Sequence, residues 1–159
     1  MDKIASFTVN HLNLLTGLYV SRTDKLGEEN ITTFDLRFTR PNTEPVMDTA
    51  AIHAIEHLAA TFLRNHKEWK ERIIYFGPMG CRTGFYLILA GNLKPEDILE
   101  LLKEMCHFIL EFEGEIPGAS AKDCGNYLDM NLSMAKYYTS KYYEEVLKDP
   151  KPTRMNYPL

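Results

Sequence analysis

Two histidines and a glutamate lie close together in the segment His53-Ala54-Ile55-Glu56-His57. Histidines four positions apart share one face of an α-helix, so both imidazole rings can reach the same metal ion. Glu56 lies next to them and is available for proton transfer. The pattern HxxEH is the inverted form of the HExxH zinc motif, and it also arises by chance. It therefore indicates a metal site with an acid/base group, for which the rest of the chain has to supply a further ligand.

Cys124 is the best candidate for that ligand. A catalytic site of the zinc type usually has three protein ligands and one open position. Cys124 precedes Gly125 in a predicted turn, where a thiolate can be directed at an ion. Without the histidines we would interpret it as a buried structural thiol. For Cys106, which lies among the apolar positions of an amphipathic segment, that interpretation stands.

Cys81 lies between Gly80 and Arg82 in a glycine-rich connection. The glycine allows the backbone to approach a ligand closely, and the arginine would favour the thiolate. Packing beneath a hairpin bend is an equally good explanation of this local sequence.

Strands and helices must position these residues. Extended character or alternation predicts strands at Ser6 to Val9, Gly17 to Ser21, Phe34 to Phe38, Arg72 to Phe76 and Phe85 to Ala90. Helical spacing predicts the HxxEH helix after Asp48 or Thr49 and a second helix from Pro95 to Gly114. A third helix is predicted to follow Ser120 to Asp123, which resemble a capping box, and to end at about Leu147. We expect the final residues to be frayed. Together these elements predict an α+β fold, a single domain over residues 1–159 in which a mainly antiparallel sheet packs against a layer of helices.

Composition excludes several classes of protein. The 159 residues carry a net charge of -4 and no basic stripe, so we expect no nucleic-acid partner. No apolar run is long enough to span a membrane, and Met1 to Phe7 lacks the continuous apolar block of a secretory signal. The three cysteines are widely spaced and odd in number, which is typical of reduced thiols. We therefore expect a cytoplasmic protein.

Several short blocks of the sequence, in their order along the chain, resemble those of the S-ribosylhomocysteine lyase family, whose members form the precursor of autoinducer-2. The resemblance covers nearly the whole chain, in Ser6-Phe7, His11, Phe34 to Phe38, Pro41-Asn42, Ile52 to Leu58, Gly77 to Gly84 and Asp123 to Gly125. It implies cleavage of S-ribosylhomocysteine to homocysteine and a dihydroxy-pentanedione, a reaction of methyl-cycle recycling and quorum sensing.

The resemblance also implies a set of roles. It implies metal ligands His53, His57 and Cys124, acid/base groups Glu56 and Cys81, and substrate contacts by Ser6, His11, Arg37 and, less directly, Arg64. It favours Fe(II) as the single metal ion of each subunit, with zinc or cobalt as possible substitutes. It further implies a homodimer whose active sites lie at the interface and contain residues of both chains.

Tyr75 and Gly77 depart from the usual pattern of that family, which has Asp and Ser at these positions. The residues that contact the amino-acid end of the substrate are therefore not predicted by the resemblance.

Two alternative functions also remain at this point. An inverted-motif metallopeptidase would use a carboxylate such as Glu111, Glu113 or Glu115 as the third ligand. A structural zinc protein would need four closed ligands.

Overall fold

Four antiparallel strands form one sheet in the order β1, β2, β4, β3 in the computed structural model, which describes all 159 residues. The strands are β1 (Gly17–Leu26), β2 (Glu29–Arg37), β3 (Ile73–Pro78) and β4 (Gly84–Ala90). Strand β2 lies at the centre, paired with β1 on one side and β4 on the other. The predicted α+β class is confirmed.

Three α-helices cover one face of this sheet. They are α1 (Thr49–Asn65), α2 (Leu99–Glu111) and α3 (Leu132–Tyr142), and α3 continues through a π-helical turn at Tyr143–Leu147. Helix α1 begins where predicted, because the Asp48 side chain accepts a hydrogen bond from Ala51 N and satisfies a free amide of the first turn. None of the helices is long and apolar enough to cross a membrane.

One hydrophobic core of 27 buried residues joins the sheet to the helices. Phe34 and Leu36 of β2 belong to it together with Ile52 and Ile55 of α1. Because neighbouring side chains of a strand point to opposite faces, Asp35 and its partner Arg37 lie on the face turned away from α1. This outer face is also covered, since both of these charged residues are buried.

Two of the predicted elements are wrong. The segment predicted as a strand at Ser6 to Val9 forms a 3-10 turn at Ala5–Phe7, in which Thr8 Oγ1 donates to the Ala5 carbonyl. The third helix begins at Leu132, where Asn131 caps it by accepting from Met134 N. The Ser120 and Asp123 side chains bond to each other and close a turn. Short side-chain to backbone bonds of this kind compete with regular structure.

The closing residues are not frayed. A 3-10 turn forms at Pro152–Arg154, and Arg154 Nη1 donates to the Thr16 carbonyl at 2.8 Å. The Tyr157 ring stacks on the Tyr19 ring with 4.7 Å between centroids. The aromatic contact and the bond to the backbone hold residues 151–159 against the sheet, which a local hydrophobic pattern does not reveal.

Candidate active site

Helix α1 presents His53, Glu56 and His57 on a half-buried flank beside its core-facing stripe. His53 Nδ1 lies 3.0 Å from the Asp129 carbonyl oxygen, and His57 Nδ1 lies 2.8 Å from the Pro117 carbonyl oxygen. A carbonyl oxygen only accepts, so Nδ1 is the protonated nitrogen of each neutral ring. The lone pair of each Nε2 is thereby left free for a metal ion, as in most histidine metal sites.

Cys124 completes a three-donor cluster. Its Sγ lies 3.4 Å from His53 Nε2, and Asn126 N donates to the sulfur at 3.4 Å. The donor atoms of His53, His57 and Cys124 all lie within 4.8 Å of one another. Two imidazoles and a thiolate with free lone pairs fit one transition-metal ion and leave a coordination position open.

The composition of the cluster bears on the alternatives. No carboxylate belongs to the group, so the acidic residues Glu111, Glu113 and Glu115 do not provide the third donor that a peptidase would need. No fourth protein donor closes the site as in a structural zinc centre. Glu56 lies beside the cluster, since it lines a surface cavity together with His57. Neither alternative is favoured.

A second set of predicted residues meets in a different cavity. Ser6, His11, Arg37 and Cys81 line a space of about 220 Å³ on the outer face of the sheet. His11 Nδ1 bonds to the Val9 carbonyl at 2.9 Å, which leaves Nε2 free as in the two histidines of α1. Four polar groups of different chemistry thus converge on one space, which is typical of a small-molecule site.

The cation beside Cys81 is Arg37. Arg37 Nη1 donates to Thr83 Oγ1 at 2.7 Å and lies 3.8 Å from Cys81 Sγ, while Thr83 Oγ1 lies 3.0 Å from the same sulfur. Arg82, whose sequence position predicted this role, is exposed and has a φ of 59°. The neighbour across the sheet therefore supplies the positive charge beside the Cys81 sulfur.

Arg37 is held in turn by Asp35, whose Oδ2 accepts from Nη2 at 2.6 Å. Burial raises the pKa of the Asp35 carboxyl, and the bonds from Arg37 and Tyr157 act against that shift by stabilising the carboxylate. The sequence analysis missed Asp35, Thr83 and Tyr157 as parts of this site. The available signal was the pair of charged residues at alternating positions of a strand with both faces covered.

The two sets of residues lie on opposite sides of the sheet. The metal cluster belongs to α1, which packs on the inner face, and Cys81 contacts Arg37 on the outer face. The cavity beside Cys81 and the cavity beside Glu56 and His57 share no lining residue. Within one chain the two sets therefore line separate cavities.

Arg64 lines neither cavity. It lies in the last turn of α1 and donates from Nη2 to the Ile74 carbonyl at 2.9 Å. Its contact with the substrate stays a prediction.

The departures at Tyr75 and Gly77 are one structural change. The Tyr75 ring and hydroxyl occupy the space that a side chain at Gly77 would need. A residue with a Cβ at position 77 requires Tyr75 to move, so the two positions are expected to vary together.

Three donors beside a carboxylate on an α+β scaffold could hold one metal ion, and three protein donors are the number that catalytic zinc-type centres have. Residues 4–153 match the family described as S-Ribosylhomocysteinase (LuxS). The chain belongs to this family of carbon–sulfur lyases.

Curated relatives agree with the family match over the full length. The S-ribosylhomocysteine lyase of Clostridium beijerinckii is 63% identical over 158 residues, which is 99% of both chains. That of Finegoldia magna is 64% identical, again over 99% of both chains. That of Phocaeicola vulgatus is 54% identical over 99% of this chain and 98% of its own.

Gly118 limits how His57 is held, which leads to a prediction for metal binding. Gly118 has a φ of +76°, and a Cβ built on it would lie 3.1 Å from His57 Nδ1. We expect Gly118→Ala to displace the imidazole and to weaken metal affinity about tenfold or more, as changes around metal ligands do. The measurement is competition with a chromophoric chelator.

Gly114→Ala is the matched control, because Gly114 also has a positive φ but no atom within 4 Å of a built Cβ. It likewise places an alanine at a positive φ, but without touching His57. Equal metal affinity of the two variants would contradict the role given to Gly118.

Proposed function

We propose that the chain cleaves S-ribosylhomocysteine, releasing homocysteine and a dihydroxy-pentanedione. The observation that carries the proposal is the intact cluster of His53, His57 and Cys124 in a chain that matches the S-ribosylhomocysteinase family over residues 4–153. The relatives from Clostridium beijerinckii and Finegoldia magna are S-ribosylhomocysteine lyases, and each matches this chain over 99% of its own length.

The reaction needs proton transfers and no oxidant. The carbonyl of the aldose starts far from the thioether, so it must move along the sugar by two isomerisations. Each one removes a proton from one carbon and returns a proton to its neighbour. Once the carbonyl lies two carbons from the carbon that bears sulfur, loss of the proton from the carbon between them forms a C=C bond, breaks the C–S bond and expels homocysteine as a thiolate.

The metal ion would be held by His53 Nε2, His57 Nε2 and Cys124 Sγ, and when bound it supplies Lewis-acid stabilisation of negative charge on the sugar oxygens. Glu56, beside His57, removes and returns protons on one side of the sugar. Cys81 does so on the other side, with Arg37 and Thr83 stabilising its thiolate.

Ser6, His11 and Arg37 bind the substrate beside Cys81. They line the same cavity. The ion pair of Arg37 with Asp35 keeps an unpaired acceptor, Asp35 Oδ1, and an unpaired donor, Arg37 Nε. Buried polar atoms without partners are rare, and a polar ligand would satisfy them.

Iron(II) is the metal we propose. The set of two imidazoles and one thiolate suits iron(II), cobalt and zinc alike, and iron(II) is the member that the family resemblance favours. Purification under anaerobic conditions followed by elemental analysis tests this: we expect about one iron per chain. A preparation that holds one zinc per chain and no iron under the same conditions would contradict it.

A homodimer completes the active site, with the Cys81 cavity of one chain facing the metal cluster of the other. The separation of the two sets by the sheet supports this arrangement. Exposed apolar residues flank both sets: Leu12, near His11, is 78% exposed, and Leu128, near Cys124, is 81% exposed. A partner chain that covered these surfaces would remove both apolar side chains from water, which favours association.

The proposed setting is the cytoplasm. All three cysteines are free thiols, and two of them carry proposed roles that oxidation would abolish.

We also propose a single functional domain over residues 1–159, which the one core described above supports.

Thiol release tests the activity. We expect metal-loaded, reduced protein to release homocysteine from S-ribosylhomocysteine, detected with a thiol reagent, and Cys81→Ala to lower the rate by about a hundredfold or more, as loss of an acid/base group does. Cys106→Ala removes a buried thiol outside the site and serves as the control. No release above the metal-free protein would contradict the proposed function.

Mixed dimers test the assignment of the two sets to different chains. Cys81→Ala and Cys124→Ala are each expected to be inactive. If each site combines residues of both chains, a mixed dimer contains one site with both substitutions and one intact site, and activity returns. Two different affinity tags allow its purification from co-expressed chains. Inactive mixed dimers, with both parent homodimers confirmed as dimers, would place both sets in one chain.

A further inference from the structure

The closing segment 151–159 has a built attachment to the sheet. Arg154 Nη1 bonds to the Thr16 carbonyl, and the Arg154 carbonyl lies where a side chain at Gly17 would be. Gly17 therefore permits a close approach that any other residue would block. This attachment brings Tyr157 to the outer face of the sheet.

Tyr157 reaches the cavity of Cys81, which it helps to line. Its ring stacks on Tyr19 with an interplanar angle of 19°, and its hydroxyl donates to Asp35 Oδ2 at 2.8 Å. Burial and the Asp35 carboxylate raise the pKa of Tyr157, so the phenol keeps its proton and remains a donor.

Contacts lead from this hydroxyl to the Cys81 sulfur. Asp35 Oδ2 accepts from both Tyr157 Oη and Arg37 Nη2, at 2.8 and 2.6 Å. Arg37 Nη1 lies 3.8 Å from Cys81 Sγ. Asp35 Oδ1 has no partner, so the shared oxygen is the atom that fixes the orientation of this carboxylate.

We propose that Tyr157 is a positioning residue for Cys81: its hydroxyl orients the Asp35 carboxylate, which holds the Arg37 guanidinium against the Cys81 sulfur. The role of Tyr157 in catalysis rests on the proposed lyase function, whereas its effect on the reactivity of the Cys81 sulfur does not.

The physical basis is the directionality of charge-assisted hydrogen bonds. With two donors on one oxygen, the carboxylate has one preferred rotation. Without Tyr157 Oη, the Asp35 carboxylate can rotate away from this angle, and the Arg37 guanidinium, which is bonded to it, moves with it. The charge beside Cys81 then moves, although no residue in contact with Cys81 has been changed.

Tyr157→Phe removes the hydroxyl and keeps the ring that stacks on Tyr19. We expect alkylation of Cys81 by iodoacetamide, followed by mass spectrometry of the peptide, to slow about fivefold in the metal-loaded protein, because thiolate nucleophiles depend on nearby positive charge. We also expect kcat for thiol release to fall about tenfold, a loss of the size that misplacing a reacting group causes. Tyr137→Phe is the control, since Tyr137 is 58% exposed on α3.

Asp35→Asn supplies the readout that a purely structural role would not move. If Tyr157 acts through Asp35, Tyr157→Phe has no further effect on alkylation or on kcat in the Asp35→Asn background. Additive effects would overturn the proposal. If Asp35→Asn does not fold, judged by its thermal transition, Tyr157→Phe alone decides: an alkylation rate within twofold of the parent would also overturn it.

The two readouts separate this inference from the proposed function. Slower alkylation of Tyr157→Phe in a protein that releases no homocysteine would refute the lyase proposal and support the positioning role. Normal alkylation in an active enzyme would refute the positioning role alone.

Discussion

The alternation of side chains along β2 determines how the active site is divided. Phe34 and Leu36 face α1 in the core, so Asp35 and Arg37 must face the other side of the sheet. A shift of one residue in this strand would turn Phe34 and Leu36 to the outer face and bury the ion pair of Asp35 and Arg37 in the core. The position of Cys81 follows from the same alternation, because its sulfur lies beside Arg37. The metal cluster, attached to α1, is consequently on the opposite side.

Backbone carbonyls prepare the metal cluster in advance. The Asp129 and Pro117 carbonyls lie in the irregular segments on either side of Cys124, and they fix the tautomers of His53 and His57. The late start of the third helix is part of this arrangement, since residues between Cys124 and Asn131 are needed to present both the sulfur and a carbonyl. A regular helix there would use the Asp129 carbonyl within its own ladder.

The sequence was most informative where local pattern and tertiary role agree. Helix α1 combines a cap at Asp48 with an apolar stripe, and the positions of His53 and His57 on its flank follow from helical spacing. The central strand was predicted only from Phe34, where apolar and polar residues alternate, although it begins at Glu29. Contacts between distant segments have no such local signal. Arg37 rather than Arg82 accompanies Cys81 because β2 pairs with β4, and Tyr157 packs on Tyr19 because Gly17 admits the Arg154 carbonyl.

The distance between Cys81 of one chain and the metal ion of its partner tests most directly whether each active site combines residues of both chains. In a mixed dimer, a Cys124→Ala chain would carry a carbon-13 methylthio label on Cys81, and a Cys81→Ala chain would hold cobalt(II). If each active site combines residues of both chains, the methyl resonance of this dimer is strongly broadened relative to the same dimer with zinc. A sharp resonance with cobalt in the partner chain would contradict it.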